Sequence, residues 1–161
     1  MTTRRIDMGL LLNEPFTLHD VTKLRRAVAE QAEGCGLNGP RLDDFVLAVH
    51  ESVVNVVEHA GGHGRLALWT VDGIIRAETA DEGTGIPESR LNGCSRPSDL
   101  RYTGRGIYLI RRLCDDADFR TGPDGTRVRL TMRLPRRPPG RAMKRIRVSA
   151  GGGGPFGDFR A

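Results

Sequence analysis

Two apolar-rich runs, "RLALWTV" at 65–71 and "IIRAETA" at 74–80, are separated only by Asp72-Gly73. An Asp-Gly pair tolerates the two positive φ angles of the tight turn whose twist matches antiparallel strands. The spacing therefore predicts a β-hairpin, and the fold of this chain has to accommodate an antiparallel sheet. Just ahead of it, Leu42, Phe45, Val46, Val49, Val53, Val56 and Val57 recur with helical period. That stripe predicts a helix from near Pro40 to about His59, stopped by Gly61-Gly62, with one broad face to bury.

The remaining segments fit around this core pattern. Residues 4–12 read as a first strand, broken by Asn13-Glu14-Pro15. Asp20 is placed to cap a helix carrying Val21, Leu24 and Val28, which Gly34-Cys35-Gly36 ends. From Asp81 to Thr103 a stretch rich in Gly, Pro, Ser and Asn reads as a long functional loop. "GIYLIRRLCD" forms a third helix after Gly104-Arg105, and strands near 117–121 and 127–134 are joined by "GPDG". The order is strand, two helices, two strands, loop, helix, two strands. It predicts an α+β two-layer sandwich, a mixed and mostly antiparallel sheet with helices on one face.

Charge divides the chain into a body and a tail. From Pro135 to the end there are seven basic residues and one acidic residue, Asp158. Taken from the totals of 25 basic and 20 acidic residues, this leaves 18 and 19, a net of −1 over residues 1–134. The body is close to neutral, so the overall +5 is no argument for a nucleic-acid-binding domain. Residues 1–134 are expected to form one domain. Residues 135–161, with their prolines and a four-glycine run, are expected to be a disordered basic tail. The three cysteines, Cys35, Cys94 and Cys114, lie far apart and form no CxxC pair. An odd count with no secretory signal and no apolar run long enough to span a bilayer points to the cytoplasm.

Three short motifs carry chemistry. "AVHESVVNVVEHA" opens like a zinc-protease helix, but the residue four after His50 is Val54, so two imidazoles cannot meet one metal from adjacent turns. The polar pair that does share a face is Glu51 and Asn55. A carboxylate beside an amide oxygen suits Mg²⁺ and the polarisation of a hydroxyl. "DEGTGIP" (81–87) follows an apolar strand, and its glycines let a ligand approach the backbone while Asp81 offers an acceptor to an exocyclic amine. "TGRGIYLI" (103–110) places glycines at a helix start, where free N–H groups and the helix dipole favour phosphate. Each has a plainer reading alone: a solvated helix face, an acidic turn, a loop-to-helix junction with a salt-bridging arginine. Together, and in this order, they describe an ATP site.

On these residues the sequence resembles the GHKL (Bergerat-fold) ATPase superfamily. It is most similar to the stand-alone bacterial anti-sigma-factor serine/threonine kinases. "LAVHESVVNVVEHA", "DEGTGIP" and "GRGIYLIRRLCDD" match the three boxes of that branch, and "GPDGTRVRLTMRL" matches its closing strand. The resemblance covers residues 16–134. It implies Mg²⁺ held by Asn55, with Glu51 as general base, and adenine read by Asp81 with Gly83 and Gly85 beside it. It also implies phosphates cradled by Gly104 and Gly106 with Arg105 in reach, and a hydroxyl contact from Thr126. His59 matches the "EHA" ending and is read as packing or capping the helix end. No phosphoacceptor-histidine helix is seen ahead of the domain, so a stand-alone kinase is expected rather than a sensor kinase. The loop from Ile86 to Thr103, with Arg90, Arg96 and Arg101, would serve as lid. The implied partners are an anti-anti-sigma (STAS-like) protein, as phosphoacceptor, and a sigma factor. A homodimer paired through the exposed sheet is implied as well. A regulator that binds ATP or ADP without turnover is the alternative; a nucleic-acid role led by the tail is the weakest reading, with no interleaved aromatics to support it.

Overall fold

A computed structural model describes residues 8–86, 91 and 104–136; the tail beyond Arg136 and most of the expected lid lie outside the described residues. The elements run β1 (Met8–Thr17), a 3-10 turn (Leu18–Asp20), α1 (Val21–Gly34) and α2 (Gly39–His59). There follow β2 (His63–Val71), β3 (Ile74–Asp81), α3 (Gly104–Leu113), β4 (Asp116–Gly122) and β5 (Gly125–Arg133). The strands form one sheet in the order β1-β2-β3-β5-β4, and each of its described pairings is antiparallel.

The hairpin forms as its turn chemistry requires. Val71 pairs with Ile74, and Asp72 and Gly73 take φ of +47° and +80°. That register puts Leu66, Leu68, Ile75, Ala77 and Thr79 on one face, where β5 adds Val128, Leu130 and Met132. All are buried, while their strand neighbours Arg65, Arg76, Arg127 and Arg129 point to the other side. Helices α1, α2 and α3 pack on the buried face. Helix α2 lies across β2, β3 and β5, with α1 and α3 against its flanks. Phe45, Val46, Val49, Val53 and Val56 form its sheet-facing stripe, and each such side chain removed from water contributes about 1.5–3 kcal/mol.

Two local readings need correction. Strand β1, described over Met8–Thr17, does not break at Asn13-Glu14-Pro15 but runs through it, with a register shift between Leu10 and Leu12; residues 4–7 of the expected strand lie outside the described residues. Pro15 is tolerated because β1 is an edge strand, where a missing N–H breaks no central ladder. Asp20 does not cap α1. Its carboxylate turns back to accept hydrogen bonds from Thr17 N at 2.9 Å and Thr17 Oγ1 at 3.2 Å, closing the preceding turn.

The start of α2 is tied to the far side of the sheet. Arg41 donates to both oxygens of Asp115, at 3.2 and 2.6 Å, and Asp115 also accepts from Arg133 N at 2.7 Å. The Arg41 hydrogen bond, above all, holds the Asp115 carboxyl below its ordinary range.

Candidate functional site

Glu51 and Asn55 sit half-buried on consecutive turns of α2, and the first turn of α3 arrives directly against them. A Cβ on Gly106 would lie 3.1 Å from Asn55 Oδ1, 3.2 Å from Asn55 Nδ2 and 3.3 Å from Glu51 Oε2. The approach is therefore as close as a bare backbone permits. It brings the first turn of a helix, whose N–H groups have no partner within the helix, beside a carboxylate and a carboxamide. Gly104 and Arg105 lie in that same helical turn; the side chain of Arg105 falls outside the described part of the structure.

At the end of β3, Asp81 is held by its neighbours. Its Oδ1 accepts from Gly83 N at 2.9 Å and from Thr126 N at 3.2 Å. These two bonds orient the carboxylate and leave Oδ2 without a hydrogen-bond partner among the described residues. Gly83 packs on the end of α2, where a Cβ would stand 2.9 Å from Ala60 Cα. Gly85 has φ +89°, and a Cβ there would also press on the Gly122 carbonyl oxygen at 2.5 Å. Thr126 is buried, with its hydroxyl 3.0 Å from that of Thr121, which in turn accepts from Ile86 N at 2.7 Å.

Between the two ends lies a cavity of about 410 Å³. It is lined by Ser52, Asn55 and Val56 of α2, Asp81 of β3, Ile107 of α3 and Thr126 of β5, among others. The size lies in the range of small-molecule sites, roughly 300–1,000 Å³. A larger cleft, about 690 Å³, opens on the other side of Asp81 toward Arg65, Arg120 and Arg127. It touches neither Glu51 nor Asn55, so the smaller cavity is the one the motifs converge on. Glu51 stands just beyond the cavity lining, beside Gly106. His59 lines the cavity at the end of α2, its Nε2 3.6 Å from Glu58 Oε2.

The sequence reading passed over a polar pair inside this site. Ser52 Oγ and Thr79 Oγ1 are 2.6 Å apart, both residues 2% exposed. The only signal was Ser52 interrupting the apolar stripe of α2; its partner on β3 is visible only once helix and sheet are packed. His50, next to Glu51, also faces inward, and its Nδ1 is buried without a hydrogen-bond partner among the described residues. Burial first, then Arg25, lowers the pKa of its ring, with Glu51 beside it acting in the opposite direction.

Comparison with known proteins places this geometry. Residues 15–132 match the histidine kinase-like ATPase domain. The chain belongs to that family. Sensor protein kinase PilS of Pseudomonas aeruginosa is 28% identical over 123 residues, covering 65% of this chain and 23% of PilS. Among solved structures, the RsbU and RsbW domains of a Mycobacterium tuberculosis protein align with a TM-score of 0.53 at 23% identity. That match spans 78% of this chain and 33% of the other. The histidine kinase domain of the Erythrobacter litoralis EL346 blue-light activated kinase aligns with a TM-score of 0.48 at 20% identity, over 69% of this chain and 65% of that one. This chain thus spans a quarter to a third of the first relatives it matches, 23% of one and 33% of the other. The histidine kinase-like ATPase fold is a sheet covered by helices on one side, as here. Membership in a kinase-like ATPase family implies ATP binding.

The residues present suit ATP with Mg²⁺. The amide oxygen of Asn55 is a donor of the kind a hard cation takes in the company of phosphate oxygens, and the Glu51 carboxylate beside it is a proton acceptor. The uncommitted Oδ2 of Asp81 is an acceptor for an exocyclic amine. The space that a Cβ at Gly106 would fill is left open beside the oxygen donors.

Proposed function

We propose that this chain is an ATP-dependent serine/threonine protein kinase of a bacterial partner-switching system, an anti-sigma factor that phosphorylates an anti-anti-sigma protein. The observation that carries this reading is the meeting of Gly106, Glu51 and Asn55 at one end of a cavity whose other end holds Asp81.

Asn55 offers its amide oxygen to Mg²⁺, and the N–H groups of the first turn of α3, Gly104 to Gly106, receive phosphate oxygens. Asp81 Oδ2 accepts from the adenine amine, while Oδ1 stays committed to Gly83 and Thr126. Val56, Ile107 and Val128 cover the faces of the base. Arg105, at the start of α3, adds a cation near the phosphates. Mg·ATP, when bound, would supply the transferable phosphoryl group, with ADP as the leaving group and Mg²⁺ offsetting the charge that develops on it. Glu51 orients the incoming Ser or Thr hydroxyl and accepts its proton. Alignment and charge supply most of the rate, since phosphoryl transfer asks little covalent work of the protein. The open sheet face, with Met8 and Leu10 exposed at 69% and 67%, is the surface on which a second copy would pair.

The match to RsbW-containing domains supports the branch; the match to a sensor kinase leaves a histidine acceptor as the competing chemistry. Incubation with γ-labelled ATP and a candidate anti-anti-sigma protein separates them. Acid-stable label on the partner is expected, reduced roughly 10²–10⁴-fold in Glu51→Gln with nucleotide affinity nearly kept. Acid-labile label would move the protein to histidine chemistry. A second reading, a regulator that binds ATP or ADP without turnover, draws on the position of Glu51 outside the cavity lining. Tight binding with no transfer to any partner would favour it.

A further inference from the structure

The lining of the cavity includes Ser52, half of a hydroxyl pair that the roles above leave unused. Ser52 projects from α2 and Thr79 from β3, and their oxygens are 2.6 Å apart, with both residues buried. Two hydroxyls own two protons, and the bond between them uses one. The other proton needs an acceptor, because a buried donor left unpaired costs about 1–3 kcal/mol. Thr79 does not reach the cavity, whereas Ser52 lines it. If Ser52 donated to Thr79, the threonine proton would be held between helix and sheet with no acceptor among the described residues. If Thr79 donates to Ser52, the serine proton is delivered into the cavity. The second arrangement satisfies both groups as soon as a ligand fills the space.

We infer that Ser52, held by Thr79, is a base-reading residue that donates to a ring nitrogen of the nucleotide. This rests on the adenine-site reading of the same cavity. Beside the Thr126 hydroxyl, which is engaged with Thr121, that part of the lining then presents an acceptor, Asp81 Oδ2, and a donor, Ser52 Oγ–H. Adenine offers the matching order on its edge, an amine donor next to the N1 acceptor. Guanine and hypoxanthine offer the reverse, a carbonyl next to N1–H, and would set acceptor against acceptor at Asp81. Such mismatches at buried polar groups are what separate close analogues.

The test is calorimetric binding of ADP and of 1-deazaadenosine diphosphate, in which a C–H replaces N1. Wild-type protein is expected to prefer ADP by roughly 2- to 12-fold, the value of one neutral hydrogen bond. Ser52→Ala is expected to bind the two alike. A ratio between two ligands cancels any general loosening of the site, so a merely structural role of Ser52 leaves it unmoved. Should the alanine variant not fold, Ser52→Cys, with its weaker thiol donor, is expected to shrink the preference. Wild-type protein that binds ADP without preferring it, or a folded Ser52→Ala that keeps the full preference, overturns the inference while leaving the adenine site intact. Failure of wild-type protein to bind ADP at all overturns both.

Discussion

Replacing one hydrogen of Gly106 by a methyl group would set that methyl against Asn55 and Glu51 at 3.1–3.3 Å. Elsewhere in a helix, alanine in place of glycine gains up to about 1 kcal/mol. At Gly106 the gain and the crowding oppose each other, so Gly106→Ala is expected to melt within about 4 °C of wild type. The same change fills the space where α3 meets the two oxygen donors. Nucleotide affinity should therefore drop by an order of magnitude, about 1.4 kcal/mol. Thermal melting and calorimetry on one preparation check both halves; unchanged affinity would mean that the ligand does not pass this point. The motif residues Glu51, Asn55, Asp81 and Gly106 were legible in the sequence because each belongs to a short pattern whose chemistry is local. The Ser52–Thr79 pair was not, since its two members belong to different elements and meet only through packing.

At the scale of elements, α2 is the frame of the site, and its start is anchored by Arg41 and Asp115. Both side chains are partly open to water, 48% and 31% exposed, so the pair contributes about 1 kcal/mol or less. The Asp115 carboxyl is depressed in the folded state, first by its bond to Arg41. Its contribution is therefore present above the ordinary carboxylate value of about 3.9 and is lost as pH falls through the lower folded value. Urea midpoints of wild type and Asp115→Asn should differ at pH 7 and converge on acidification below about pH 4. A gap that persists or widens in acid contradicts this assignment. The helices, the Asp-Gly hairpin and the final strand pair were readable from period and turn chemistry. The course of β1 was not. Asn13-Glu14-Pro15 is a breaker by composition, and only its place on a sheet edge, a tertiary fact, lets the strand continue.

Across the whole molecule, Cys114 reports on global opening. It is buried at the end of α3, and burial, more than its acidic neighbours, pushes its thiol up to about 12. At pH 8 it is a protonated thiol in the core, so alkylation, which needs the thiolate, should wait for unfolding. Nucleotide at 100 times its Kd should slow that labelling roughly 100-fold, the effect of about 2.7 kcal/mol of added stability. Mass spectrometry resolves Cys114 from Cys35 and Cys94; fast labelling of the folded protein, or no protection by ligand, would count against the fold or the site. The sheet with helices on one face could be foreseen from element order. Which cleft beside Asp81 serves the motifs could not, because two cavities share that residue and only the packing of α3 on α2 distinguishes them.

Everything proposed for this chain requires that the cavity between α2 and the sheet take an adenine nucleotide with Mg²⁺. Titration calorimetry with ATP, with and without Mg²⁺, on wild type and Asp81→Asn measures this directly. The asparagine keeps an oxygen for Gly83 and Thr126 and turns only the free end from acceptor to donor. Saturable, Mg²⁺-dependent heat from wild type and at least about tenfold weaker binding by the variant, about 1.4 kcal/mol, is the expected result. A folded wild type that gives no heat, or an Asp81→Asn protein that binds as well as wild type, would contradict it.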